Sequence, residues 1–378
     1  MSEKLNEIFE KVLSKIKPSK QDFAKGEKIA EEIIGKIKDL GYEAVLVGSF
    51  PRRTCLKGSI DLDVFVFVPE KEDLEVILEV SQRLFGKKKV KIHYAEHPYV
   101  RMKYKGFDVE IVPARKIMFG QEIQTAVDRS PLHHQFLLEK IKGKEDDVLL
   151  LKQFLISCGS YGAEEKVKGF SGYLCELLVV TYGSFMQVLE ELANLKTHLK
   201  IQDPVDPKRN VAAALSQEKL GLAIIRAREF LRNPSINFFT IKKEKRKWYN
   251  VLFKFPVPKV IEETAWSQLA ALRNNIRRVL EEEGFTVERS DYWIDKDANI
   301  ALYVSSPVLS KYKKSMGPPY FDYENSSRFI EKHKNCWIEG QRLYSFTKRK
   351  FCNVKDIWKF VPKPSHYKKL KKVIVFRK

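Results

Sequence analysis

The chain has 378 residues, of which 44% are apolar, and a formal net charge of +20 from 69 basic and 49 acidic side chains. A chain of this length predicts about two to four domains with buried cores, and no window is apolar over the length of a membrane span. Its five cysteines are scattered and form no Cys-x-x-Cys pair, which argues against a zinc site and for a reducing compartment.

The chain begins with two predicted helices and a strand. Residues 1–17 are amphipathic and charged, without the apolar centre of a secretory signal, so we expect a cytoplasmic protein without a membrane segment. Residues 19–40 are predicted to form a helix that begins after the capping residue Ser19 and is closed by Gly41. The β-branched run Glu43–Val47 then predicts a strand.

A turn and a second strand follow, and they contain the first candidate site residues. Glycine permits a tight turn at Gly48-Ser49, whose backbone N–H groups and hydroxyl suit a phosphate, and Arg52 lies close in sequence. Because alternate side chains of a strand share a face, Asp61 and Asp63 are expected side by side. Two adjacent carboxylates need a cation between them, and Mg²⁺ held by oxygen atoms is the usual solution.

A hairpin supplies a second pair of acidic residues. Tyr99–Tyr104 and Phe107–Val112 alternate in polarity around a Lys-Gly turn, which predicts two antiparallel strands. The returning strand has Asp108 and Glu110 on one face. Carboxylates from two neighbouring strands are what a two-metal site for phosphoryl or nucleotidyl transfer requires.

The middle of the chain is predicted to be helical and the region after it mixed. Helical periodicity covers the ranges Val148–Ile156, Gly172–Leu195 and Leu220–Leu231. A basic connector, Lys242–Lys247, precedes a strand, a helix and two further strands, which are expected at Tyr249–Phe255, Glu262–Glu283, Phe285–Trp293 and Ile300–Val304. The β-α-β-β order is typical of a ferredoxin-like or RRM-like unit.

The last 38 residues form a basic tail. Residues 341–378 contain thirteen Lys or Arg and one acidic residue, Asp356. Seven aromatic residues are interleaved with these charges: Tyr344, Phe346, Phe351, Trp358, Phe360, Tyr367 and Phe376. Cations with stacking side chains suit RNA, whereas a lysine-rich thermophilic surface would normally balance Lys with Glu.

Together these motifs resemble those of the archaeal-type (class I) CCA-adding enzymes, which are tRNA nucleotidyltransferases of the polymerase-β-like superfamily. The resemblance continues beyond the Gly-Ser and Asp-x-Asp motifs through six blocks: YAEHPYV (Tyr94–Val100), AVDRSPLHH (Ala126–His134), LLKQFL (Leu150–Leu155), YGAEEKVKGFSGYLCELL (Tyr161–Leu178), DPVDPKRNVAAALS (Asp203–Ser216) and MGPP (Met316–Pro319). The blocks cover about the first two thirds of the chain well and the last third thinly.

The resemblance implies an α+β multidomain fold. Residues 1–142 would be a polymerase-β-like nucleotidyltransferase palm, and residues 143–240 a helical domain that binds nucleotide and the tRNA acceptor end. Residues 241–378 would be an RRM-like or ferredoxin-like body with a short basic tail that binds tRNA. The implied partners are tRNA, CTP and ATP, and the sequence leaves open a homodimer.

The resemblance also implies roles for individual residues. Asp61, Asp63 and Glu110 would be catalytic and would bind two Mg²⁺ ions, although the family usually has Asp at the third position. The implied nucleotide-binding residues are Gly48, Ser49, Arg52, His133, Lys152, Tyr161 and Arg209, with Arg209 linked to the incoming base. Without the resemblance, the sequence favours a simpler role for four of these residues: a helix N-terminal contact for His133, a solvated helix residue for Lys152, a core aromatic for Tyr161 and a turn salt bridge for Arg209.

Three functions are compared. The first is addition of C, C and A to the 3′ end of tRNA without a nucleic-acid template. The second is another palm nucleotidyltransferase, of the poly(A) or oligoadenylate type, which would lack the Asp203–Ser216 block. The third is an inactive tRNA-binding protein, which would gain nothing from clustered acidic residues beside RNA phosphates. His133 and His134 do not predict a metal site, since neighbours on a helix point about 100° apart.

Overall fold

A computed structural model describes residues 3–70, 72–94, 98–121, 123, 125, 127–241 and 248–376. Parts of three predicted segments lie outside these residues: residues 95–97 of the YAEHPYV block, residue 126 of the AVDRSPLHH block, and the basic connector 242–247. The chain divides into two compact units, Met1–Lys242 and Lys243–Lys378.

The first unit begins with helices and contains a five-stranded mixed sheet in its described part. Its helices are α1 (Glu3–Ile16), α2 (Lys20–Lys38), α3 (Val76–Phe85), α4 (Arg129–Lys140), α5 (Glu145–Ser157), α6 (Gly172–Tyr182), α7 (Phe185–Asn194) and α8 (Gln217–Arg232). Its strands are β1 (Glu43–Val47), β2 (Asp61–Phe67), β3 (Lys91–Tyr94), β4 (Pro98–Tyr104) and β5 (Phe107–Ala114). The strand order is β1-β2-β5-β4-β3, with β2 parallel to β5 and the other neighbours antiparallel.

The predicted start of α2 is confirmed in detail. Ser19 caps the helix by accepting a hydrogen bond from the Asp22 N–H, and the Asp22 carboxylate accepts one from the Ser19 N–H in return. The helix packs its apolar residues, Ile33 and Ile37 among them, against the sheet. Leu62 and Val64 of β2 face the same core, whereas Phe65 packs on the opposite side with Val47 and Ala114. The face that the sequence predicted for Asp61 and Asp63 therefore lies away from the main core.

A second core lies among the helices of the first unit. It gathers Phe154, Phe185, Phe230 and Phe239, whose ring centroids are about 6 Å apart, and α1 contributes Phe9, 5.5 Å from Phe185. The first helix thus packs with the helical part of the unit. The division of this unit at residue 142 stays a prediction.

The prediction of one continuous helix over Gly172–Leu195 is wrong, because this range contains two helices, α6 and α7. Gly183 ends α6 with φ +108°, and Ser184 caps α7 by accepting from the Gln187 N–H. The two axes turn by 94°. Among the described residues, none of the helices could span a membrane by itself. The bent pair α6 and α7 has the length and composition of a span only when the two are taken together, and both helices belong to the second core.

The second unit has a four-stranded antiparallel sheet in its described part. Its strands and helices are β6 (Val251–Phe255), α9 (Glu262–Glu282), β7 (Val287–Ile294), β8 (Ala298–Val304), β9 (Tyr312–Pro319), α10 (Tyr323–Lys332), β10 (Cys336–Glu339), β11 (Arg342–Lys348) and β12 (Lys372–Val375). The order β12-β6-β8-β7, with α9 between β6 and β7, is the ferredoxin-like arrangement that the sequence predicted. Strands β9, β10 and β11 form a separate three-stranded sheet, inserted before the last strand.

The basic tail is more structured than its composition suggested. It supplies β12, the edge strand beside β6, and a 3₁₀ turn at Val354–Lys359. Phe351 and Tyr367 are buried in the core of this unit, and Trp358 packs against it. These three aromatic side chains are structural and not a stacking surface, whereas Phe346 is exposed.

Candidate active site

The predicted carboxylates meet on two adjacent parallel strands. The register of β2 and β5 sets Asp63 directly opposite Glu110 and Asp61 opposite Asp108. Neighbouring strands lie about 4.8 Å apart, so the acidic side chains on this face are in electrostatic contact. Asp108 is engaged by Lys103, whose Nζ donates to Oδ2 over 3.0 Å, and the nearest cation to Glu110 is Arg101, with Nε 3.6 Å from Oε1.

The ionisation of these groups reflects their crowding. Burial, together with the Glu110 and Asp61 carboxylates, raises the pKa of Asp63 to about 7. Burial also raises the pKa of Asp61 and of Glu110, although Arg101 opposes the increase at both. Raised pKa values at all three carboxyl groups show that the positive charge around them is too small to offset their burial. Groups with such perturbed pKa values concentrate at functional sites.

The Gly48 position is dictated by Asp63. Gly48 has φ +84°, and a Cβ built on it would overlap Asp63 Oδ2. Only glycine permits both the turn and the close approach of the carboxylate. The turn continues with Ser49, whose carbonyl accepts from the Thr54 N–H over 2.9 Å. The predicted Gly-Ser turn and the predicted carboxylate strand are therefore packed directly against each other, at Gly48 and Asp63.

The chemistry of the donor set fits a hard divalent cation. Three oxygen ligands with raised pKa values gain a counter-charge when a cation binds. Among the described residues, no three His, Cys, Asp or Glu side chains converge as a ready-made cage. Mg²⁺ usually takes one or two protein carboxylates and completes its shell with water and substrate phosphates, so a full protein cage is not required.

Arg52 and Lys152 are brought together around an acidic residue that the sequence analysis missed. Glu176 of α6 is 1% exposed, and its Oε2 accepts from Arg52 Nη2 over 2.7 Å. Its Oε1 lies 3.7 Å from Lys152 Nζ and accepts from the Thr54 hydroxyl. Lys152 Nζ also donates to the Thr54 carbonyl over 2.8 Å. The one sequence signal for this residue was a glutamate inside an apolar helix. A glutamate is rarely buried unless it is paired with a cation, so this position could have indicated a buried ion pair.

Tyr161 lies beside the same cluster. A Cβ at Gly172 would be 3.2 Å from the Tyr161 hydroxyl and 3.7 Å from Lys152 Nζ, so the start of α6 passes close to both. Burial and nearby acidic groups, Glu176 and Asp61 among them, raise the pKa of Tyr161, which is therefore a neutral phenol. The cluster is joined to the Gly48-Ser49 turn by Thr54, which contacts Glu176 and Lys152 and donates its N–H to the Ser49 carbonyl.

His133 and Arg209 converge on a second missed acid, Asp203. His133 Nε2 lies 2.9 Å from Asp203 Oδ2, and Arg209 Nη1 donates to the same atom over 2.8 Å. Asp203 is fully buried and also accepts from the Val205 N–H and the Tyr173 hydroxyl. Burial opposes ionisation, but His133, the Val205 N–H and Arg209 hold the pKa of Asp203 below its ordinary value. The His133 ring stacks on Tyr173 with 4.0 Å between centroids.

The two adjacent histidines diverge as expected. His134 faces the Glu176 cluster, where Arg52 Nη1 lies 3.1 Å from its Nδ1. A guanidinium only donates, so Nδ1 is the acceptor. Burial and the Arg52 charge lower the pKa of His134 to about 4. All ten predicted site residues thus lie in the first unit, in three neighbouring sets: the carboxylate face with the Gly48-Ser49 turn, the Glu176 cluster with Tyr161, and the Asp203 cluster.

Three family models match the chain in sequence order. A nucleotidyltransferase domain matches residues 26–133, a tRNA nucleotidyltransferase second domain matches residues 146–240, and a CCA-adding enzyme C-terminal domain matches residues 246–375.

Curated proteins are similar over nearly the full length. The chain is 37% identical to a CCA-adding enzyme of Methanocaldococcus jannaschii, covering 94% of this chain and 90% of that protein. It is also 37% identical to one of Archaeoglobus fulgidus (92% and 87%) and to one of Sulfolobus acidocaldarius (93% and 90%).

Solved structures share the fold at low identity. A cytoplasmic RNA terminal U-transferase superimposes with a TM-score of 0.52 at 14% identity, covering 64% of this chain and 100% of that chain. The Cid1 poly(U) polymerase gives 0.51 at 15%, covering 64% and 99%.

Proposed function

The chain belongs to the CCA-adding enzyme family of nucleotidyltransferases, and on that basis we propose that it adds C, C and A to the 3′ end of immature or damaged tRNA from CTP and ATP. No nucleic-acid template takes part, and pyrophosphate is released. The observation that supports this most directly is the register that sets Asp63 opposite Glu110 and beside Asp61 on one face of the sheet.

The proposed reaction is an in-line nucleotidyl transfer. The oxygen of the tRNA 3′-hydroxyl forms a bond to the α-phosphorus of the nucleotide, the bond to the β-phosphate oxygen breaks, and the hydroxyl proton is released. Asp61, Asp63 and Glu110 would hold two Mg²⁺ ions. These ions, when bound, acidify the hydroxyl and neutralise the leaving pyrophosphate.

The other site residues bind and orient the nucleotide in this proposal. The Gly48-Ser49 turn offers backbone N–H groups to the triphosphate, and Arg52, Lys152 and the neutral Tyr161 line its far end. His133 and Arg209, both fixed by Asp203, would face the base. Arg209 is about one-third exposed, which leaves N–H groups of its guanidinium accessible to an incoming base.

We further propose that residues 1–142, 143–240 and 241–378 act as catalytic, nucleotide-binding and tRNA-binding parts, and that the protein works in the cytoplasm. The net charge of +12 in residues 341–378 supports a polyanionic partner for the last part. The scattered free cysteines support a reducing compartment.

One assay tests this function. The protein is incubated with tRNA that lacks its 3′ CCA, Mg²⁺, and labelled CTP and ATP. Ordered addition of two C and one A is expected. Unlimited addition of A would instead indicate a poly(A)-type enzyme, and retained tRNA binding without incorporation would indicate an inactive binding protein.

The assay is sharpened by a pair of variants on the same sheet. Asp63→Ala is expected to abolish incorporation while tRNA affinity stays within about tenfold, because the phosphate contacts of tRNA are made elsewhere. Glu43→Ala is the matched control, since Glu43 is an exposed carboxylate of β1 paired with Lys116. Activity near wild type in Asp63→Ala would remove Asp63 from the mechanism.

A further inference from the structure

The charge cluster around Glu176 carries an inference about the phosphate subsite. We propose that Glu176 is a positioning residue, whose carboxylate holds Arg52 and Lys152 together and leaves the pair with one excess positive charge. The inference rests on the proposed function, which sets nucleotide phosphates against these two cations.

The geometry makes Glu176 the common partner of both cations. Its two oxygens are divided between them: Oε2 lies 2.7 Å from Arg52 Nη2, and Oε1 lies 3.7 Å from Lys152 Nζ. The Thr54 hydroxyl donates to Oε1, and its carbonyl accepts from Lys152. Arg52 belongs to the turn after β1, Lys152 to α5 and Glu176 to α6. The Glu176 carboxylate therefore holds a cation from the turn after β1 and a cation from α5 in fixed positions.

The cluster has more positive than negative charge. Arg52 and Lys152 contribute two cations, Glu176 one anion, and His134 is neutral because its pKa is about 4. Burial would raise the pKa of Glu176, but Lys152 and Arg52 hold it below its ordinary value, so the carboxylate is ionised. Enclosing an unbalanced cation is costly unless an anion approaches it.

One polar atom of the cluster has no partner. Arg52 Nε is buried and has no hydrogen-bond partner among the described residues, although both Nη atoms are engaged. A buried donor left unpaired is destabilising, and an oxygen of a phosphate would satisfy it. The unpaired donor and the excess charge both point to an anionic ligand, and Arg52 follows the Gly48-Ser49 turn that packs against Asp63, so the ligand would lie beside the carboxylate face.

Affinity for phosphate should therefore follow the net charge of the cluster. Wild type has a charge of +1, Glu176→Gln has +2, Lys152→Met has 0, and the double variant returns to +1. Glutamine and methionine keep the approximate shape of the side chains that they replace. Each unit of charge is expected to change the affinity by about tenfold, which is the effect of a unit charge about 12 Å away through an effective dielectric constant of about 20.

The test uses inorganic triphosphate as the probe, with its Kd measured by calorimetry on the full chain. We expect Glu176→Gln to bind about tenfold more tightly than wild type, Lys152→Met about tenfold more weakly, and the double variant within about threefold of wild type. Glu190→Gln, an exposed residue of α7, changes the charge of the whole protein equally and is expected to leave the Kd unchanged.

Kinetics separate positioning from a purely structural role. In Glu176→Gln, KM for CTP and for ATP should fall together, because both share the triphosphate, while kcat falls because the cations lose their fixed acceptor. A residue that only supports folding would lower the amount of active enzyme and leave KM unchanged. Should Glu176→Gln fail to fold, Lys152→Met and the double variant still decide the matter.

The outcomes are distinct. A double variant that binds triphosphate as weakly as Lys152→Met, or a Glu176→Gln variant no tighter than wild type, overturns the inference while CCA addition by wild type stands. Wild type that neither binds triphosphate nor extends tRNA removes the proposed function and this inference together.

Discussion

Two charge clusters of the first unit are opposites. On the sheet face, Asp61, Asp63 and Glu110 lack a matching set of cations, and the pKa of Asp63 rises to about 7. Around Glu176, two cations enclose one acid, whose pKa falls below its ordinary value. The first cluster has an excess of negative charge, which costs stability and is typical of functional sites. The second pairs its one carboxylate with two cations and contributes to stability as well as to orientation.

The largest expected effect comes from removing the one acid of the Glu176 cluster. Glu176→Ala leaves Arg52 and Lys152 buried without their carboxylate, and breaking a buried ion pair typically costs about 3–5 kcal/mol of unfolding free energy. Urea denaturation measures this loss. The matched control is Glu139→Ala, because Glu139 is 72% exposed and pairs with Lys142 on the surface. A similar small change in both variants would mean that Glu176 does not stabilise the two buried cations.

A change of stability of the opposite sign is expected on the carboxylate face. Asp63→Asn removes a carboxylate that is expensive to ionise, so the metal-free protein should become more stable at pH 8, by about 2–4 kcal/mol. Activity should fall by about 10²–10³-fold, the size of losing one strong electrostatic contact to a transition state. Denaturation in the presence of a chelator and incorporation assays measure the two effects. Loss of stability in this variant would contradict the comparison.

The pH dependence of wild type follows from the same group. The pKa of Asp63 in the folded protein, about 7, lies above that of an unfolded aspartate, so the protonated carboxyl group favours folding at low pH. That contribution is lost as pH rises through 7, and the metal-free protein should lose about 1–3 kcal/mol between pH 5 and pH 8. Saturating Mg²⁺ should reduce this slope. A slope that persists in Asp63→Asn would assign the titration to another group.

A smaller effect is expected at the third cluster. Asp203→Asn weakens the acceptor shared by His133 and Arg209, so we expect a loss of about 1–2 kcal/mol of unfolding free energy and a raised KM for nucleotides. Asp206→Asn, in the same loop, is the control, because Asp206 pairs with Arg129 instead. An unchanged KM in Asp203→Asn would separate this cluster from the nucleotide site.

Local patterns predicted much of the fold. The Ser19 cap of α2, the hairpin at Lys105-Gly106, and the shared face of Asp61 and Asp63 depend on neighbours within a few residues, and each is present. The break at Gly183 was missed because the apolar periodicity continues through it. The fourth strand of the second sheet was missed because a basic composition concealed the short apolar run Val373–Val375.

The sequence by itself selected the candidate site residues, because the Gly-Ser turn, the alternating acidic positions of the strands and the motif blocks are local patterns. Only the tertiary structure revealed what those residues contact. Glu176 and Asp203 are 124 and 70 positions from the partners Arg52 and His133, and no periodicity reports contacts at such separations. Folding decides which distant carboxylate lies beside each cation, and so whether the positive charge is neutralised. The physical reason is that the strength of an ion pair is set by distance and burial.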